Sequence, residues 1–330
     1  MNHTKSALLL TGSGGNISQE VAIIDQLIQK EKIAISQKRT LLFASGSSAI
    51  NAVAINACFS KNSSCSWENY YKSIFLETLS NEDIYMKVHP VQWSTHAMRN
   101  KLSMFLRIAG FSKLSDLPFS TSILISSSNR DKTLWMKTNS AKHENGDLAD
   151  ILMASAAIPV LFPPQVINSI LDFPLQIKEG TYWEGAQKGL FFNFRKQMKK
   201  IIATNFTIDE LFIISPQRTT DPISIASQRF TGMTTEEEVT FNNFLNQISL
   251  HAFLTFLLEL REANRKHKIA GRIYVSIPET AYNFSLIDFN NQTNKYQVIN
   301  SWFEENPDKL AIELEEFCEK ISIVPSRIAV

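Results

Sequence analysis

Ile151-Leu152-Met153-Ala154-Ser155-Ala156-Ala157-Ile158-Pro159-Val160-Leu161-Phe162-Pro163-Pro164, followed further on by Tyr182-Trp183-Glu184-Gly185-Ala186, decides how this chain reads. Ala154 to Ala157 form a helix end of small residues, and Ile158-Pro159 stops that helix. Proline has no N–H to donate, and it pushes the residue before it out of the helical region. An apolar run then closes on Pro163-Pro164, and an aromatic-acid-glycine turn follows.

Two further elements lie upstream. Ala7 to Leu10 is a short, wholly apolar run that predicts a buried strand, and Thr11-Gly12-Ser13-Gly14-Gly15-Asn16 predicts a loop opening a helix from Ser18 to Glu31. Arg39 to Phe43 predicts a second strand, running through Ala44-Ser45-Gly46-Ser47-Ser48-Ala49 into the helical Ile50 to Phe59. A glycine loop, a serine on a strand-to-helix turn and a distant acid are the parts that ester cleavage needs. Backbone N–H groups held on the developing oxyanion contribute roughly 3–4 kcal/mol each. An acid beside a serine takes its proton and later returns it to the leaving alcohol.

In this order the three elements resemble the patatin-like phospholipases, which are serine lipid acyl hydrolases. The resemblance implies an α/β fold over residues 1–330 as one domain, a three-layer sandwich with a mostly parallel central sheet and helices on both faces. It also implies cleavage of lipid or other carboxylic esters through an acyl-serine, with an acid acting directly on the serine and no metal or organic cofactor. Carried over residue by residue, Ser48 is the nucleophile, Glu184 the acid, and the amides of Gly14 and Gly15 the oxyanion donors, with Ser47 as the alternative nucleophile.

Each element departs from the family pattern. The family loop Gly-Gly-Gly-x-Arg/Lys-Gly, laid on Gly12-Ser13-Gly14-Gly15-Asn16-Ile17, loses its basic residue and last glycine. The family's Gly-x-Ser-x-Gly meets Gly46-Ser47-Ser48-Ala49-Ile50, which ends on a β-branched residue where the turn needs almost no side chain. A second register places small Ala44 and Ser48 at the flanks and puts Gly46 at the nucleophile position. Glu184 stands for an aspartate and reaches about 1.5 Å further, and a misplacement of ~1 Å can cost on the order of a hundredfold in rate. These departures support a second expectation: a catalytically impaired protein of this fold that binds a lipid or a protein partner.

The rest of the chain sets bounds. Hydrophobic residues make up 44% and charged residues 20%, which is ordinary globular usage and excludes a disordered or fibrous class. A net charge of +1 gives no electrostatic case for nucleic acid. The longest apolar segment, Ala252 to Leu260, falls short of the ~18–20 residues a membrane span requires, so the chain reads as soluble. It is expected in the cytoplasm, or exported without a classical signal peptide. Cys58, Cys65 and Cys318 have no metal spacing; reduced thiols are the plain reading, with a Cys58 to Cys65 bridge left open. The six histidines show no metal spacing either. Arg195, Lys196, Lys199 and Lys200 share a helical face that suits peripheral contact with anionic headgroups at up to about 1 kcal/mol per charge.

Thr11 to Ser18 also resembles the nucleotide turn of short-chain dehydrogenases, but no acid follows the second strand to read a ribose. Further strands are expected at Ile123 to Ser126, Leu211 to Ser215 and Arg272 to Ile277. Between the last two, Asn242 to Lys268 reads as one long helix. Leu310 to Ile321 reads as another amphipathic helix, and Asn283 to Asn294 as a surface loop containing Ser285 to Asn290, which resembles the far end of patatin-like domains.

Overall fold

The computed structural model describes residues 5–12, 14–61, 65–84, 86–87, 93–127, 133–141, 143, 145–167, 180–185, 194, 197, 208–218, 233–280, 284 and 288–322. The chain is α/β, with a mixed and mostly parallel central sheet. Strands β1 (Ser6–Leu10), β2 (Thr40–Ser45), β3 (Met86–Lys87), β4 (Trp93–Ser94), β5 (Ser120–Ser127), β6 (Thr133–Lys137), β7 (Gln165–Ile167), β8 (Gly180–Glu184), β9 (Glu210–Ile214), β10 (Arg272–Ser276) and β11 (Ile312–Glu313) are present. The large sheet runs β11-β10-β9-β1-β2-β5-β8-β7, with β6 also on β5. The pairings β10/β9, β9/β1, β1/β2 and β2/β5 are parallel. The outer pairings β10/β11, β5/β6, β5/β8 and β7/β8 are antiparallel.

Strands covered on both faces bury every residue rather than alternate, as near-continuous apolar runs do in parallel sheets. β1 is buried along its whole length, and β2, β5 and β9 nearly so. The covering helices are α1 (Ile17–Gln29), α2 (Ser48–Phe59), α3 (Asn81–Ile84), α4 (His96–Ala109), α5 (Leu148–Ala156), α6 (Thr235–Gln247), α7 (Leu250–His267), α8 (Gln292–Glu305) and α9 (Leu314–Ser322), with a π-helix at Trp67–Leu76. α1 packs on α8 and α2, and α2 packs on α5 and the π-helix; α7 packs on α6 and α9.

Three expectations need correction. The stretch 242–268 is two helices, because Ser249 turns extended and caps α7 by accepting from the Ala252 N–H at 3.2 Å. Apolar spacing continues across this break, so periodicity alone hides it. The Asn-rich loop ends early: Asn291, in the left-handed region at φ +57°, starts α8 at Gln292. At the other end of the sheet, Ile312 and Glu313 form an edge strand, so the terminal helix begins at Leu314.

The pairing of β5 positions the site. β6 occupies one edge of β5 at Ser122 to Ser126. β2 takes the opposite edge as far as Leu124, and β8 takes over that edge at Ile125, opposite Glu184. The end of β2 and the end of β8 therefore meet head to head, which brings Glu184 beside Ser45 and Gly46.

Candidate functional site

The strand-to-helix turn after β2 has Gly46 at its tip, in the left-handed region at φ +63°. A side chain there would meet crowded surroundings: a Cβ would lie 3.3 Å from Glu184 Oε1 and 3.5 Å from Gly12 Cα. The positive-φ position of this turn is thus held by the one residue that bears no strain there. Two residues to either side, Ala44 and Ser48 are small and fully buried. Ile50 is the third residue of α2, completely buried, where a branched side chain fills core. The tip of the turn is therefore Gly46, flanked by small Ala44 and Ser48.

Each serine hydroxyl has one proton to donate, and each proton is committed within the protein. Ser45 Oγ donates to Glu184 Oε1 at 2.7 Å. Ser47 occupies the N-cap position of α2 without a side-chain cap bond; its Oγ donates across to the Gly14 carbonyl at 2.9 Å. Ser48 Oγ donates to Glu20 Oε1 at 2.6 Å and accepts from the Gly12 N–H at 3.0 Å. Among the described residues, the expected Ser48 and Glu184 dyad is therefore split: Ser48 pairs with Glu20, and Glu184 with Ser45.

The glycine loop follows the same logic. Gly12 and Gly14 have φ of +91° and +48°, which lets the chain turn sharply from β1 into α1. Gly14, the first expected oxyanion donor, borders the pocket described below. Gly15, the second expected donor, packs its Cα against the backbone of Asp288, where any Cβ would overlap the carbonyl. Its carbonyl accepts from Gln292 Nε2 and Lys295 Nζ, both at 2.8 Å, which ties the loop to α8.

The small helix end has a visible purpose. α5 closes over the elbow, and Ser155 Oγ reaches the Gly46 carbonyl at 3.3 Å and the Leu124 carbonyl at 3.0 Å. The Ala157 carbonyl accepts from the Glu184 N–H at 3.0 Å, fixing the acid turn to the end of the helix. Gly185 keeps that turn against β5, because a Cβ would run into Leu124. Ala186 and the basic residues Arg195, Lys196, Lys199 and Lys200 lie outside the described residues, as do Ser285 to Ile287.

The elbow opens on a pocket lined mostly by apolar side chains. Met98, Met153, Phe162, Phe241, Phe244 and Leu245 form an apolar wall, and Thr11, Gly12, Gly46, Ser47, Glu184 and Arg218 form a polar end. Arg218 was not visible as a site residue in the sequence, since it sits in the loop after β9 with no pattern around it. It donates to Ser215 Oγ at 2.7 Å, the Ile248 carbonyl at 2.6 Å, and Thr11 Oγ1 and the Thr11 carbonyl at 2.7 and 3.0 Å. Burial pulls its guanidinium down to about 10, while the charges of Glu20 and Glu184 resist.

Glu20 was also missed, although a signal existed. It shares the apolar face of α1 with Ile17, Val21 and Ile24, where a carboxylate needs a partner. Burial pushes it up to about 7, opposed by hydrogen bonds from Ser48 and Asn51 and by the charge of Arg218. Asn51 Nδ2 donates to Glu20 Oε2 at 2.8 Å and to the Ile17 carbonyl at 3.1 Å, and Tyr71 Oη donates to Asn51 Oδ1. This buried network locks α1, α2 and the π-helix behind the elbow.

No family model matches this chain, and no curated protein matches it. No helix among the described residues is long and apolar enough to cross a membrane.

Proposed function

We propose that this chain is a patatin-like protein that has no catalytic nucleophile and holds an apolar, chain-like ligand in its pocket without cleaving it. The observation that carries the reading is Gly46, at the tip of the elbow, with the Glu184 carboxylate filling the space a nucleophile's side chain would need. The apolar wall supplies the attraction, since burying one methylene contributes about 0.8 kcal/mol. The competing reading, hydrolysis by Ser48 with Glu184 as base, requires both at one substrate atom. Against it stands the commitment of the Ser48 proton to Glu20 behind the elbow.

The test is labelling of the purified protein with a fluorophosphonate serine probe, alongside calorimetric titration with decyl-chain amphiphiles. The reading expects no stoichiometric adduct, saturable one-to-one binding, and loss of that binding in Ala156→Trp, which fills the pocket from the end of α5. A stoichiometric adduct on Ser45, Ser47 or Ser48 would restore the hydrolase.

A further inference from the structure

Exposed apolar side chains scattered singly mean little, whereas several together mark a contact surface. Among the described residues the large exposed ones are Ile74, Met104, Ile108, Val166 and Val239. Val166 is on β7 and Val239 on α6, while the other three stand where the π-helix runs beside α4. Phe105 of α4 stacks on Tyr70, ring centroids 5.9 Å apart, and meets Phe75 at 5.1 Å. Lys101 Nζ donates to the Thr78 carbonyl, and Thr78 Oγ1 to the Ile74 carbonyl at 2.6 Å. On α4, Lys101, Met104, Phe105 and Ile108 recur at three- and four-residue spacing and so share one side. Phe75 and Phe105 close this seam from within; Ile74, Met104 and Ile108 border it outside, 49%, 45% and 45% exposed.

We propose that this seam docks on a bilayer containing anionic lipid, where the protein takes up its apolar ligand. The uptake rests on the pocket reading above, and the proposal names the source of that ligand.

Charge selects the surface. Residues 96–109 include His96, Arg99, Lys101 and Arg107 and neither Asp nor Glu. Arg99 is bridged to Asp150, but Arg107 is exposed between Met104 and Ile108, and Lys113 is exposed just past the helix. Of the exposed carboxylates on the neighbouring segments, Glu68 is bridged to Lys72, and Asp116 accepts from the Ser112 and Lys113 N–H groups of its own loop. Glu77 caps the far end of the π-helix. A helix with cations beside exposed Met and Ile suits the interface of an anionic bilayer, apolar side chains inserted and cations on headgroups.

The pocket decides between a bilayer and a protein partner. An apolar chain partitions into membranes rather than water, and Thr95 and Met98, at the start of α4, border the pocket. Met98 and Met104 are roughly 9 Å apart along the helix axis. One helix therefore carries both an edge of the pocket and the docking face.

The experiment is flotation of the full chain with vesicles of phosphatidylcholine alone and of phosphatidylcholine mixed with phosphatidylglycerol. The mixed vesicles should bind roughly tenfold more strongly. Met104→Gln combined with Ile108→Gln should weaken that binding by about fivefold, Arg107→Glu should weaken it too, and Val166→Gln should leave it unchanged. All these positions are exposed, and unchanged melting confirms that the variants fold. Binding that is absent, equal on both vesicles, or unmoved by Met104→Gln with Ile108→Gln overturns the proposal. Self-association without vesicle binding, abolished by the same pair, also overturns it and assigns the seam to a second copy. Calorimetric titration with 1-decanol, without vesicles, separates this proposal from the pocket reading. Decanol binding kept by the seam variants while vesicle binding is lost supports both. No decanol binding by the unaltered protein overturns the pocket reading and the uptake, while flotation still decides the docking.

Discussion

Replacing Gly46 with alanine tests the central geometric claim, that a side chain at the tip of the elbow is strained by the backbone and pressed against Glu184. Two costs follow from the structure. An L-residue forced to φ +63° loses roughly 1–2 kcal/mol relative to glycine. A Cβ placed 3.3 Å from Glu184 Oε1 and 3.5 Å from Gly12 Cα adds overpacking on the order of 1 kcal/mol. Gly46→Ala should therefore lose about 2–3 kcal/mol. Glu184→Asp withdraws the carboxylate by one methylene and breaks its bond to Ser45, a charged hydrogen bond of roughly 1.5–3 kcal/mol. In the double variant the crowding is gone, so the combined loss should fall short of the sum by about 1 kcal/mol, as expected for residues in contact. Urea unfolding followed by tryptophan fluorescence, with all four proteins in one cycle, measures this. Strict additivity, or a Gly46→Ala loss below about 0.5 kcal/mol, would show that the side chain has somewhere else to go and that the tip is misassigned.

Four further outcomes follow. Gly46→Ser combined with Glu184→Asp puts a hydroxyl at the tip with a carboxylate withdrawn to make room, and should become reactive toward a fluorophosphonate probe, read by intact-protein mass. Glu20 makes stability pH-dependent: its folded pKa of about 7 lies above the ordinary 4.5, so its contribution is complete below about pH 4.5 and is lost as pH rises to 7. At about 1.4 kcal/mol per unit this amounts to roughly 3 kcal/mol, and Glu20→Gln should flatten the profile between pH 5 and pH 8 in thermal melts. Gly15→Ala should fail to accumulate as folded protein, or melt far lower, because its Cβ would overlap the Asp288 backbone. Ser155→Ala removes the donor shared by the Gly46 and Leu124 carbonyls and should cost about 1 kcal/mol in urea unfolding.

Much of the sheet was legible because buried parallel strands leave runs such as Ala7 to Leu10 and Leu211 to Ile214, bounded by glycine, proline or polar loops. The order of loop, elbow, small helix end and acid turn was legible too, but the residues that meet there are Gly12, Gly46, Ser155 and Glu184, whereas the sequence reading paired Ser48 with Glu184. Helix boundaries were less so. The break at Ile248-Ser249 costs little in periodicity, since Leu245, Phe253 and Leu257 all stay buried on either side of it. Partners of the elbow serines were illegible for a different reason. Ser45, Ser47 and Ser48 are consecutive or nearly so, and sequence cannot say which way a hydroxyl turns when a strand becomes a helix within two residues. Arg218 could not be found either, because a loop residue that meets Thr11, across more than 200 residues of chain, leaves no local pattern.

The two departures from the family pattern that sequence treated separately, a glycine at the tip and a glutamate for an aspartate, are physically one. Glu184 leaves β8 at the position opposite Ile125, and from there its longer side chain delivers Oε1 to Ser45 at 2.7 Å, over the bare Cα of Gly46. An aspartate would stop about 1.5 Å short of that hydroxyl, leaving buried Ser45 without its acceptor and a void over the glycine. A serine at 46 would be strained by its positive φ and would press on the carboxylate that the glutamate now places there. Either residue alone would be a defect costing a few kcal/mol; as a pair they close the wall of the pocket and satisfy its buried polar groups. That mutual fit satisfies the buried Ser45 hydroxyl and leaves the tip of the turn without a side chain.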